Sequence, residues 1–229
     1  KKNEVLIISH FNNSNLLNSK KDFYFGNLEN ILKRKGKTYF KLMINHTNFS
    51  SSYLNLKKKD KNILILEKYL DIKLEALIFL KKIIAIFQIS FLLFKNKINF
   101  QDFNKLIISL FGYSTTFSLR LHHQIKDYVK KINPGYCFLT YEGYSWERMC
   151  INAIKSNDQN IKCIGYQHTP VTDNHHAIFK ILNGNFNPDK IWCSHVSSYK
   201  MLKRKIIIKK KNYIDFIGNL HQLNLSKAK

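Results

Sequence analysis

The chain lacks the short motifs that usually mark a nucleotide or acyl enzyme. It has no P-loop, no GxGxxG and no GxSxG, so NTPase, dehydrogenase and serine hydrolase readings lose their usual support. Acidic residues are also scarce, with 15 Asp and Glu against 38 Lys and Arg and a formal charge of +23. That imbalance raises nucleic acid or an anionic membrane as partners. A duller cause competes, because Lys, Asn and Ile are abundant throughout, even in obvious strands and helices, as A/T-rich codon usage produces. The basic residues are spread widely, with dense runs only at Lys57 to Lys61 and Lys203 to Lys211, and such runs are ordinarily solvated faces. The four cysteines, Cys137, Cys150, Cys163 and Cys193, show no CxxC spacing and lie in or beside apolar elements. They read as small core residues of a reduced cytosolic protein rather than as disulfides or zinc ligands. Neither a signal peptide, an internal repeat nor a low-complexity linker is evident. The most apolar run, Ile83 to Phe94, is too short to span a bilayer, follows Lys81-Lys82 and is expected to form a buried helix.

At 229 residues and 45% hydrophobic content, the chain can bury a sizeable core as one large or two small domains. Val5 to Ser9 is a short apolar run that ends at polar His10 and an Asn- and Ser-rich loop, as a first strand would. A helix is expected at 27–35, closed by Gly36, followed by strands at 38–44 and 63–66. From about 73 to 94 and from 100 to 131 the pattern turns helical, until Asn133-Pro134-Gly135 stops it. These helices read as an insertion at about 73–131 that packs on the sheet; the alternative is that their Lys-bearing faces lie against a membrane. Strands then follow at 136–140, 161–166, 190–193 and 213–217. The alternation predicts an α/β fold with a Rossmann-like, doubly wound parallel sheet. The chain starts on Lys, and Ile217-Gly218-Asn219-Leu220 looks like a strand entering a glycine turn, so the sequence reads as part of a longer protein.

The richest segment is 136–170. The strand Tyr136 to Thr140 runs into Glu142-Gly143, a helix follows, and a second strand ends in Gln167-His168-Thr169. Ligands of open parallel sheets bind beyond the carboxyl ends of the strands, so Glu142 and His168 are expected to face one crevice. A carboxylate followed by Gly can approach a ligand closely, making Glu142 the first candidate for a general base. The competing role for Glu142 is to cap the next helix. His168 is a candidate base, phosphate partner or hydrogen-bond donor. Gln167 and Thr169 offer neutral hydrogen bonds, Tyr144 and Trp146 an aromatic platform or simple packing, and Glu147 is the weaker carboxylate beside Arg148. Gly218-Asn219 would present backbone N–H groups to a phosphate if it opened a helix. His175, His176 and His195 with Cys193 lack metal-site spacing, and no metal or other cofactor is expected.

Several of these boxes, taken in order, resemble the N-terminal half of GT-B glycosyltransferases of bacterial surface carbohydrate biosynthesis. The resemblance is carried by Phe23-Tyr24-Phe25-Gly26, by Tyr141-Glu142-Gly143-Tyr144-Ser145-Trp146-Glu147, by Gly165-Tyr166-Gln167-His168-Thr169 and by the strand at Pro188 to Ser194, and it covers about 25–219. Where many relatives have a small residue or Gly after that strand, this chain has Cys193-Ser194-His195. The resemblance implies an acceptor-side domain at 1–212 and the start of a truncated donor-side domain at 213–229. It further implies transfer of a sugar from a nucleotide-sugar donor to a glycan or lipid-linked glycan acceptor in polysaccharide or lipopolysaccharide assembly. Glu142 and His168 would be catalytic, Gly143, Tyr144, Trp146, Glu147, Tyr166, Gln167 and Thr169 substrate-binding, and Gly218 and Asn219 donor phosphate-binding. The protein would be cytoplasmic, with its basic runs near the anionic inner face of the plasma membrane. Two other classes stay open: a basic nucleic-acid-binding module, motivated by charge alone, and a non-catalytic remnant of the transferase fold.

Overall fold

The computed structural model describes residues 4–13, 21–174, 176–206 and 213–221. Apolar runs of three to seven residues form β1 (Val5–Phe11), β2 (Tyr39–Asn45), β3 (Ile63–Ile65), β4 (Tyr136–Thr140), β5 (Lys162–Gln167), β6 (Lys190–Cys193) and β7 (Ile214–Phe216). All pair in parallel in the order β3-β2-β1-β4-β5-β6-β7. Both faces are covered, which is why the strands read as nearly continuous hydrophobic runs rather than as alternating ones. The chain reverses its winding between β1 and β4, and that switch point is where a crevice opens in sheets of this kind.

One face is covered by α1 (Leu28–Arg34) and α2 (Ser51–Lys57), through Phe25, Leu28 and Leu54 against Val5, Ile7, Met43 and Phe138. The other face carries α5 (Tyr113–Ile132), α6 (Ser145–Asn157) and α8 (Val196–Lys205), which bury Leu121, Ile125, Ile151, Ile154 and Leu202 against Leu6, Ile8, Leu42 and Leu139. Between α6 and α8 lies the short α7 (His176–Phe179). All four cysteines are free and buried on this second face, and burial pushes their thiols upward, Cys163 and Cys193 to about 12. At neutral pH none is a thiolate.

The helical stretch consists of three helices, not two. α3 (Ile72–Phe94) is capped by Asp71, whose carboxylate accepts from Lys73 and Leu74 N–H, and α4 (Phe100–Phe111) by Asn99 in the same manner. Gly112, at φ −60 and ψ 152, breaks what the periodicity presents as one helix into α4 and α5. A larger correction concerns burial. Of the expected core helices, α5 packs deeply, but α3 buries only Ile78 and Lys82 and α4 buries nothing. The run Ile83 to Phe94 therefore belongs to a 23-residue helix that is little buried along its whole length and is long and apolar enough to cross a membrane.

The strand Ile214–Phe216, expected to open a second domain, lies instead as the edge strand of the same sheet. Beyond it the chain turns back. Leu220 N–H donates to the Tyr166 hydroxyl, and Leu220 O accepts from Asn27 N–H.

Candidate active site

Thr140 ends β4, and the loop after it is built around two ionisable residues, Glu147 and Arg148, that face inward. Glu147, in the first turn of α6, accepts through Oε2 from the backbone N–H of Glu142 and of Tyr144, each at 2.8 Å. This capping box fixes the loop path. Burial pushes the Glu147 carboxyl up to about 8, against the opposing pull of the N–H donors. Arg148 is likewise buried, and its guanidinium donates to Gly143 O, Ala177 O, Lys180 O and Asn187 Oδ1. The arginine therefore ties the α7 segment to the loop. Gly143 has φ +83, and a Cβ there would lie 2.5 Å from the Ala177 backbone. Its lack of a side chain lets the backbone of α7 pack directly against it. A largely apolar groove of about 510 Å³ runs past Gly143, Ser145, Arg148, Ala177 and Phe186.

With its loop held this way, Glu142 lies almost covered beyond β4. Its Oε1 accepts from the Thr169 hydroxyl at 2.8 Å and lies 3.5 Å from Nδ1 of His168, which follows β5. That separation is an ion-pair contact rather than a close hydrogen bond. His168 is partly open to solvent, and burial followed by the nearby His195 lowers its pKa, so it is neutral at neutral pH. With Nδ1 beside the carboxylate, Nε2 is left on the far side of the ring. The Tyr24 ring meets His168 edge-on at 4.8 Å.

His10, His46, Tyr24 and Asp22, none of them a site candidate from the sequence, lie around this pair. His10, on the last turn of β1, sits across the switch point from Thr140, with Nε2 3.2 Å from the Thr140 hydroxyl and Nδ1 2.8 Å from Nε2 of His46. Trp146 stands edge-on to His10 at 5.0 Å, and Tyr24 leans on the same imidazole at 4.9 Å. Burial, then His46, lowers the His10 pKa to about 4. Tyr24 is held by Asp22, whose Oδ1 accepts from the backbone N–H of Tyr24 and Phe25 and from the Ser9 hydroxyl. Behind Asp22, Lys41 bridges it to Glu29 at 3.5 Å and 2.5 Å inside the fold. His10 was legible as the polar residue ending the first apolar run. Lys41 within a strand gave no such signal.

The remaining expected site residues are dispersed. Tyr144 is exposed, whereas Tyr166 is buried against Phe25 on the opposite face. Gln167 is wholly buried, and neither amide atom has a hydrogen-bond partner among the described residues. Gly218 and Asn219 open no helix among the described residues; Asn219 Oδ1 accepts from His221 N–H in a local turn. His195 lies beside His168 and meets the Ser194 hydroxyl at 2.6 Å. His176 begins α7, and His175 lies outside the described residues, as do 207–212 of the basic run. Among the described residues no cluster of His, Cys, Asp or Glu could hold a metal ion.

The arrangement is an imidazole backed by a covered carboxylate beyond the carboxyl ends of β4 and β5, with Tyr24 against His168 and with His10, His46 and Trp146 grouped beside Thr140. It can accept a proton at neutral pH and hold the resulting imidazolium beside a negative charge. Compared with known proteins, the chain matches no protein-family model and no curated sequence.

Proposed function

We propose that the protein is a glycosyltransferase of surface polysaccharide or lipopolysaccharide assembly, its fold being the N-terminal half of a GT-B enzyme. The observation that carries this reading is the Glu142–His168 contact of 3.5 Å beyond the carboxyl ends of neighbouring strands, next to the switch point. In this reading the acceptor hydroxyl gives its proton to Nε2 of His168. Its oxygen attacks the anomeric carbon of a nucleotide-sugar, and the nucleotide departs with the bonding pair. Glu142 stabilises the imidazolium, and Thr169 orients Glu142 through its hydroxyl. Trp146 and Tyr24 flank the sugar face, since flat rings suit the C–H side of a pyranose.

The test is sugar transfer by the protein from nucleotide-sugar donors to glycan or lipid-linked acceptors, followed by mass spectrometry. His168→Ala and Glu142→Gln should each lower kcat by roughly 100-fold or more while the fold is retained, the range typical of a positioned acid–base group. Full transfer by His168→Ala would remove this mechanism. Salt-sensitive oligonucleotide binding with no transfer would place the protein in the nucleic-acid class instead.

A further inference from the structure

The α3–α4 hairpin holds large apolar side chains in water. On α3, Phe87 is 71% and Phe94 84% exposed; on α4, Phe100 is 66% and Ile108 74% exposed. A helix apolar on nearly every side is covered by protein or by lipid, and a patch of this size marks an interaction surface.

Charge decides what covers it. Across 72–111 there are six lysines, at 73, 81, 82, 95, 97 and 105, against Glu75 and Asp102. Glu75 is held in a two-point pair by Arg120 of α5, at 2.7 Å and 3.0 Å. At the turn, Lys95 folds its ammonium over the Phe91 ring at 4.4 Å, with Lys97 two residues on. Cations beside aromatic rings at a helix end suit the boundary between lipid headgroups and acyl chains. A second copy would bring the same excess of +23 against itself, whereas an anionic bilayer complements it.

Depth follows from the attachment. Glu75 pairs with Arg120 and Lys82 Nζ donates to Thr116 Oγ1, so the first part of α3 is fixed to α5 of the folded domain. Only 83–94 projects beyond it, about 18 Å at 1.5 Å per residue, short of the ~30 Å hydrocarbon core. We propose that the tip of this hairpin, led by Phe91, Phe94 and Phe100 and flanked by Lys95 and Lys97, inserts into one leaflet of an anionic bilayer. This docking stands independently of the glycosyl-transfer reading.

The experiment is flotation of the full chain with phosphatidylcholine vesicles, with and without phosphatidylglycerol. The protein is expected to float only with the anionic vesicles. Replacing Phe91, Phe94 and Phe100 together by Ser should lower the partition by roughly 1,000-fold or more, as withdrawal of three phenyl groups from an apolar phase requires. Lys95→Gln with Lys97→Gln should lower it roughly 30-fold. Circular dichroism checks that the variants keep their helices. As a second measurement in the intact hairpin, Phe94→Trp should shift its emission to the blue on binding and be quenched by brominated acyl chains. Three results overturn the proposal: no flotation of the wild type, binding that ignores the Phe replacements and vanishes in high salt, or a concentration-dependent dimer that the Phe replacements dissolve without lipid.

Discussion

Replacing Glu147 probes the loop that sets Glu142 in place. In the wild type, one carboxylate oxygen receives two backbone N–H groups at 2.8 Å in a buried setting. Glu147→Ala strands both donors, and at about 1–3 kcal/mol for each buried donor left unmet the loss is about 2–6 kcal/mol. Glu147→Gln keeps an oxygen acceptor and should lose about 1 kcal/mol near pH 5.5. The two variants also part company with pH. Burial raises the carboxyl to about 8 in the folded protein, above its ordinary value near 4.5, so the folded state binds more protons across that window. Stability contributed through this group is then present at low pH and falls as pH rises through the window, by at most about 1.4 kcal/mol per pH unit. The Gln variant lacks this slope, so its deficit should shrink or reverse by pH 8. Urea unfolding followed by far-UV circular dichroism at pH 5.5 and pH 8 measures both differences. Parallel pH dependence of wild type and Gln variant, or an Ala variant within about 0.5 kcal/mol of wild type, would refute the capping argument.

Three further outcomes are expected. Lys41→Met leaves Asp22 and Glu29 buried without their cation and should cost about 3–5 kcal/mol in urea unfolding, with Glu29→Gln in the same chain restoring part of it. For His10 the sign is opposite to that of Glu147: its folded pKa of about 4 lies below the ordinary 6.5, so stability is lost as pH falls between these values. His10→Asn should flatten that acid limb in pH-dependent thermal unfolding. Gly165→Ala would set a Cβ 2.6 Å from the Tyr141 side chain, and a lowered unfolding temperature with disturbed near-ultraviolet dichroism is the expected readout.

The sheet was legible because both of its faces are covered. Strands such as Tyr136–Thr140 and Lys190–Cys193 are unbroken apolar runs bounded by polar loops, and strand bounds agree within two residues, the largest difference being the end of β1 at Phe11 rather than Ser9. The Glu142–His168 pairing was also legible, since both follow strand ends and strands at neighbouring places bring their ends together. Less visible was α2, a short helix started by Ser50 in a polar stretch without apolar periodicity. The break at Gly112 was hidden because apolar spacing continues on either side of it. Hydrophobicity alone cannot tell a helix covered by protein from one left bare, and α3 was misread for that reason. The Asp22–Lys41–Glu29 cluster depends on residues brought together by β2 and α1, and spacing along the chain carries no sign of it.

The placement of the four thiols has a practical consequence for anyone wishing to follow the hairpin. Each is enclosed within one layer of the fold and remains protonated, so maleimide reagents should leave the native protein unmarked. A cysteine introduced at position 94 or 144 would then be the single attachment point for a spin label or fluorophore, with no background cysteine to remove first.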